Sequence, residues 1–294
     1  IEVRGGGAPT VRRNRVYEGR ESGIFVNTDG AGTFEENEVF ANTLAGVEVR
    51  NGARPVLRGN RIHDGVESGL YVHGGAAGEV VDNTFERNGL AGVEVKDQAT
   101  PEVRGNRILD GLGSGLYIHG GAAPLIVDNT VERSALAGVE VKDGAAPVVR
   151  GNRVRDGQQG GVFVHEGGGG TYEENTITGN RLAGFEVKAG GAPEARRNVV
   201  RDNQASGVYV QADGRGVFEE NTVTGNGRAG VELVDSAGPV FRRNTIKRNA
   251  THGVVAGAGA RAEFAGDTFA DNLKGRAAID PAARVEGLEA GKDE

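Results

Sequence analysis

Three histidines, His73, His119 and His165, each follow an aromatic residue by two positions: Tyr71, Tyr117 and Phe163. Between them stand Glu94 with Lys96 and Glu140 with Lys142, in the same two-residue relation. An imidazole, a phenol and a carboxylate held together can exchange protons with a substrate. The same trio, however, occurs as Tyr71, His73, Glu94 and again as Tyr117, His119, Glu140, 46 residues on. A set of groups that recurs in this way suits an array of binding subsites better than one tuned catalytic centre.

The elements that position these residues are read from the internal repeat. Asn14, Asn37, Asn60, Asn83, Asn106, Asn129, Asn152, Asn175, Asn198, Asn221 and Asn244 follow one another at steps of 23 residues, and Asp267 continues the series. A glycine series runs at the same step from Gly23 to Gly253. After each of these glycines comes an apolar–x–apolar triplet such as Leu70-Tyr71-Val72 or Val139-Glu140-Val141, the period of a strand with one buried face. Further apolar positions lie two residues after each Asn (Val39, Ile62, Phe85) and three before it (Phe34, Leu57, Val80). Three short strands per repeat, joined by bends, predict an all-β fold: a single-domain right-handed parallel β-helix of about 12 coils. Residues 1–279 form the solenoid in this reading, and residues 280–294 an acidic tail or linker. Asn tolerates left-handed backbone angles, and its amide both donates and accepts, so the Asn column is expected to occupy the bends and to bond along the stack. Glycine or asparagine five residues later (Gly19, Asn42, Gly65, Asn88) is expected to take positive φ for the same reason.

Coils alternate. Odd ones resemble Gly59-Asn60-Arg61-Ile62-His63-Asp64-Gly65, even ones Asp82-Asn83-Thr84-Phe85-Glu86-Arg87-Asn88, so the full unit is a 46-residue pair. With about 4.8 Å between stacked strands, the pair repeats every ~9.6 Å. The outward residues then form two stripes. One runs Phe25, Glu48, Tyr71, Glu94, Tyr117, Glu140, Phe163, Glu186, Tyr209; the other includes His73, Lys96, His119, Lys142 and His165. Such a face offers flat aromatic surfaces for stacking with charges between them, and these residues are the candidate binding strip. Histidines a coil pair apart, ~9.6 Å, are too distant to share one metal, and no metal or cofactor is expected. A third stripe, two residues before each Asn, alternates in charge over Arg150, Glu173, Arg196, Glu219 and Arg242, and is expected to hold register by weak ion pairs.

Composition narrows the function. The 294 residues carry a net charge of −7, which disfavours nucleic acid as a partner. There is no cysteine for a disulfide, thiolate metal site or nucleophile, and no stretch with the character of a membrane span or signal peptide. The abundance of Ala, Gly and Arg has a bacterial character, and fusion to another domain in a longer chain is expected. No Gly-x4-Gly-Lys phosphate loop occurs. Asn27-Thr28-Asp29-Gly30 has the look of a pectin-hydrolase segment but lacks its paired Asp and His motifs, and is read as a turn.

The segment Pro147-Val148-Val149-Arg150-Gly151-Asn152-Arg153-Val154 resembles the parallel β-helix repeats of carbohydrate-binding and sugar-hydrolase-like proteins. Gly160-Gly161-Val162-Phe163-Val164-His165-Glu166 is similar to the β-helical substrate-receptor region of an F-box protein family, over most of residues 8–275. That resemblance implies recognition of a macromolecule. Glu48, Glu94, Glu140, Glu186 and Glu232 stand where that family carries apolar residues, and no F-box is present, so ubiquitin-ligase function is not implied. The expected function is non-catalytic recognition of a protein segment or polysaccharide along the strip. The alternatives are an enzyme acting on an acidic polysaccharide (lyase, hydrolase or epimerase) and a structural spacer. The unbroken 23-residue spacing disfavours an enzyme, whose site would normally be built from inserted loops.

Overall fold

The computed structural model describes residues 1–288. Its strands, mostly three residues long, assemble into three parallel sheets in which each strand pairs with its counterpart one coil before and after. Sheet A holds 13 strands and includes Leu70–His73, Leu116–Ile118 and Val139–Val141. Sheet B, also of 13, includes Val103 within Glu102–Arg104; sheet C, of 12, includes Ile108 within Arg107–Leu109. Register is 23 residues throughout: Tyr117 stands between Glu94 and Glu140, and Val131 between Ile108 and Val154. The chain is thus the parallel β-helix that the repeat predicts.

The core is what the alternation requires. Val139 and Val141 are fully buried while Glu140 between them reaches outward, and the rows through Phe34, Leu57 and Ile126 and through Ile62, Ile108 and Val131 close the other two walls. Each such side chain contributes about 1.5–3 kcal/mol by leaving water. One coil departs from the pattern. Ala195 occupies the column that Tyr172 and Phe218 fill on either side, and Phe185 in sheet A is larger than the valines above and below it. Its ring meets Tyr172 and Phe218 edge-on at 5.1 and 5.4 Å, so the space surrendered by Ala195 is occupied from the opposite wall.

The bends correct one expectation. Neither the ladder asparagines nor the residues five positions on are left-handed; the residue before each one is. Asp128 and Arg133 have φ of 54°, and Asp82 and Arg87 55° and 51°. What the asparagines do is satisfy the bend. Asn129 Oδ1 accepts the backbone N–H and the side-chain amide of Asn106 at 2.9 Å each, while its own Nδ2 donates to Val103 O at 2.8 Å and Asn152 Oδ1 at 3.0 Å. Each asparagine therefore holds the αL residue of its neighbour's bend in place, whatever that residue's type. The position five residues later carries a second ladder, continuous from Asn180 through Asn203, Asn226 and Asn249 to Asn272. Where glycine replaces asparagine, the ladder keeps only the backbone bond, as from Gly65 N to Asn88 Oδ1 at 3.2 Å.

The marker glycines have ordinary φ and are required for space. A Cβ on Gly115 would lie 2.3 Å from Val131 Cγ1 and 2.7 Å from Gly138 O. Thr28 and Asp29 are consecutive left-handed residues of a turn, as read from Asn27-Thr28-Asp29-Gly30. Toward the end the coils continue beyond Ile279. The strand Arg284–Glu286 pairs with Arg261–Ala265, so the segment read as a tail from residue 280 contributes a rung to sheet B. Residues 289–294 lie outside the described part.

Candidate functional site: a groove along sheet A

All thirteen residues of the expected strip lie on the outer side of sheet A strands or just past their ends. The register brings them into columns: Phe25, Tyr71, Tyr117, Phe163 and Tyr209 alternate with Glu48, Glu94, Glu140 and Glu186. None is freely solvated. They are half-buried, and His165 is buried.

The aromatic rings do not present two open faces, as the stripe alone suggests. His119 stacks on Tyr117 with ring centroids 4.3 Å apart, His73 on Tyr71 at 4.3 Å, and His165 on Phe163 at 4.1 Å. Lysines from the following coil reach over the same rings, Lys96 to Tyr71 at 5.2 Å and Lys188 to Phe163 at 4.8 Å; Arg50 covers Phe25 at 4.6 Å. Imidazole and lysine both come from the column two residues further along the strand.

Each imidazole also anchors a carboxylate. His73 Nε2 lies 3.2 Å from Glu48 Oε1, His119 Nε2 3.2 Å from Glu94 Oε1, and His165 Nε2 3.2 Å from Glu140 Oε1. The second carboxylate oxygen accepts a serine from the preceding coil: Ser22 to Glu48 and Ser68 to Glu94 at 2.8 Å, Ser114 to Glu140 at 2.5 Å. Gly160 interrupts the serine column, and Gln211 takes the histidine's place toward Glu186 at 2.9 Å. Burial works to raise the Glu94 carboxyl's pKa, but His119 and Ser68 outweigh it and hold it below the ordinary range. For Glu48 the His73 bond dominates, with the same net direction. Burial raises the phenols of Tyr71, Tyr117 and Tyr209, which keeps them protonated.

One flank of the strip is a wall that the stripes do not include. Leu90, Leu136 and Leu182 are 51%, 41% and 45% exposed, on three successive even coils, with Leu44 half-buried before them and Arg228 after them in the same row. Between wall and strip lies a concave pocket lined by Leu90, Leu136, Glu94, Glu140, Ser114 and Tyr117. An equivalent pocket four coils on is lined by Leu182, Arg228, Glu186, Glu232, Ser206 and Tyr209. Phe25, Leu44, Glu48 and Ser22 line a third, four coils earlier. Sequence reasoning missed the leucines because an apolar residue beside a marker glycine resembles core. Their recurrence at 46 residues, against the 23 of every core column, was the available signal.

Of the outer charge stripe, Glu173 pairs with Arg196 as expected, whereas Glu219 pairs with Arg243 beside the expected Arg242. A second ion-pair row crosses sheet C, from Arg15 to Glu38 at 2.8 Å and from Arg61 to Glu86 at 2.9 Å.

The chain belongs to the right-handed β-helix family: the model of the right handed beta helix region matches residues 1–154 and 137–283. No curated protein matches it. Among solved structures it is similar in fold to the periplasmic alginate epimerase AlgG, at 12% identity and TM-score 0.72, over 90% of this chain and 75% of that one. It is similar to the mannuronan C-5 epimerase AlgE4 A-module of Azotobacter vinelandii at 14% and 0.60, over 95% and 91%. A GH87 alpha-1,3-glucanase of Streptomyces thermodiastaticus matches at 12% and 0.69, over 98% of this chain and 63% of its own catalytic unit.

Proposed function

We propose that the protein binds an extended polysaccharide in the groove of sheet A and does so without transforming it. The observation that carries this reading is the recurrence of one pocket, an aromatic ring between two carboxylates beside an exposed leucine, at Tyr117 and again, with Arg228 in place of the second leucine, at Tyr209. Repeated shallow subsites in register suit a polymer, since each adds to the effective concentration at the next. Aromatic rings suit the C–H face of a sugar, and Ser, Tyr and carboxylate groups suit its hydroxyls. The solved structures similar in fold include alginate epimerases and a glucanase, proteins named for polysaccharides.

The Ser–Glu–His contacts invite a catalytic reading, but they recur at Glu48, Glu94 and Glu140 with the same partners. A reaction needs one such set; three identical ones serve better as the scaffold that fixes the carboxylates. The test is a glycan array with the full chain and with the Tyr117→Ala, Tyr209→Ala double variant. The expected result is a polysaccharide retained by the parent and weakened at least about tenfold by the double variant, the loss of about 1.4 kcal/mol across two ring contacts. No glycan retained, or equal retention by both proteins, overturns the reading and leaves a spacer.

A further inference from the structure

We infer that the polysaccharide held in this groove carries free amino groups, one on every second sugar, rather than carboxylates. The inference rests on the groove reading above and concerns the chemistry of its ligand. At the Tyr117 pocket the charged side chains of the lining are Glu94 and Glu140, and neither is matched by a basic residue in that lining. The strip does contain lysines, but none is among the residues that line this pocket. Lys96 lies over Tyr71, and Lys142, 6.0 Å from the centre of the Tyr117 ring, sits 3.4 Å from Glu166 Oε2 and 3.7 Å from Asp143 Oδ2.

A carboxylate offers about four acceptor positions, and Ser68 with His119 uses two on Glu94, so capacity for an ammonium remains. Glu94 is held in its charged form by these same donors. An acidic chain laid in the groove would bring its charges against Glu94 and Glu140, with Lys142 already paired to Glu166 and Asp143, and like-charge juxtaposition is unfavourable. An ammonium there makes a charge-assisted hydrogen bond instead.

Spacing sets the pattern of the amines. The carboxylates recur with the coil pair, every ~9.6 Å, and an extended glycan ribbon turns alternate sugars to the same side over a comparable length. The sugars between would lie over the Tyr117 ring and along Leu90 and Leu136. These are half-exposed apolar surfaces that match ring C–H faces or the methyl of an N-acetyl group.

The experiment titrates the full chain by calorimetry with three oligosaccharides of equal length. One is a β-linked hexosamine with free amines, one the same chain fully N-acetylated, and one a polyuronate. The expected order places the free-amine chain at least about tenfold tighter than the polyuronate, the scale of a hydrogen bond to a charged group. Its affinity should fall as salt rises, and Glu94→Gln with Glu140→Gln should erase its advantage over the acetylated chain. Thermal melting of the double variant checks that the fold is kept. Equal or tighter binding of the polyuronate, or of the acetylated chain to the parent, overturns the inference while leaving the groove reading in place. Failure of all three glycans overturns both. A lysine-bearing polyproline peptide, whose turn repeats at about 9.3 Å, serves as a further arm. If it alone binds, both readings give way to a peptide site.

Discussion

His119 Nε2 meets Glu94 Oε1 at 3.2 Å although the two residues are not in register. His119 lies beside Lys96, and Tyr117 beside Glu94, so the contact is a diagonal one across neighbouring strands. The diagonal ties each even coil to the next odd one, and the serine bond ties it to the previous one. Together they clamp the carboxylate from both sides.

That clamp predicts an acid limb of stability. The carboxyls of Glu48 and Glu94 are depressed in the folded protein, by His73 and by His119 with Ser68 against burial. A depressed acid contributes stability above its unfolded pKa, about 4.3, and loses it as pH falls through the folded value. The melting temperature should therefore decline as pH drops below about 4.3, and Glu94→Gln should shallow the decline. Melts between neutral and strongly acidic pH measure it; an unchanged slope in the variant would show that the clamp has no folding role.

The Asn129→Ala variant tests the ladder. It takes the acceptor from the Asn106 backbone N–H, one acceptor from the Asn106 amide and the amide donor from Val103 O in a buried stack, and the expected loss is about 1–3 kcal/mol. Asn14, exposed at the first rung, should cost clearly less when changed to alanine. Chemical denaturation of both variants is the measurement. Equal losses would mean that burial of the column does not set its contribution.

The fold was legible because its signals are local and repeated without insertion. Val139-Glu140-Val141 states which side is inward, and the 23-residue step states what stacks on what. The bends were not legible in the same way. Arg133 and Glu36 adopt left-handed angles for which their residue types carry no preference, because the ladder of the neighbouring coil imposes the conformation. The strip was half legible. Its columns follow from register, but the diagonal from His119 to Glu94 and the serine bond span 25 and 26 residues and depend on how side chains lean. The leucine wall was hidden for another reason: hydrophobicity alone does not tell a corner residue such as Leu90 from a buried one.

Linear architecture predicts how damage spreads. Val139 is fully buried at the middle of the stack, and its strand pairs with its counterparts one coil before and one coil after. A charge placed there by Val139→Asp should break the coupling between the coils on either side. Calorimetry should then resolve two transitions, or one broadened transition at lower temperature. A single sharp transition at the parent's midpoint would contradict nearest-neighbour coupling.

The exchange of bulk between Ala195 and Phe185 yields the last prediction. Phe185→Val alone removes the ring that meets Tyr172 and Phe218 and enlarges the void beside Ala195, at a cost of about 2–3 kcal/mol. Ala195→Leu alone crowds the same ring and should cost about 1–3 kcal/mol. Together the two changes reproduce the pairing of Val47 with Leu57 that another coil of this chain already uses, both of them buried. The double variant should therefore lose less than either single one, a favourable coupling of about 1–3 kcal/mol. Denaturant unfolding of the four proteins closes the cycle. Additive losses would mean that the two walls are packed independently and that the match in size between Phe185 and Ala195 is coincidental.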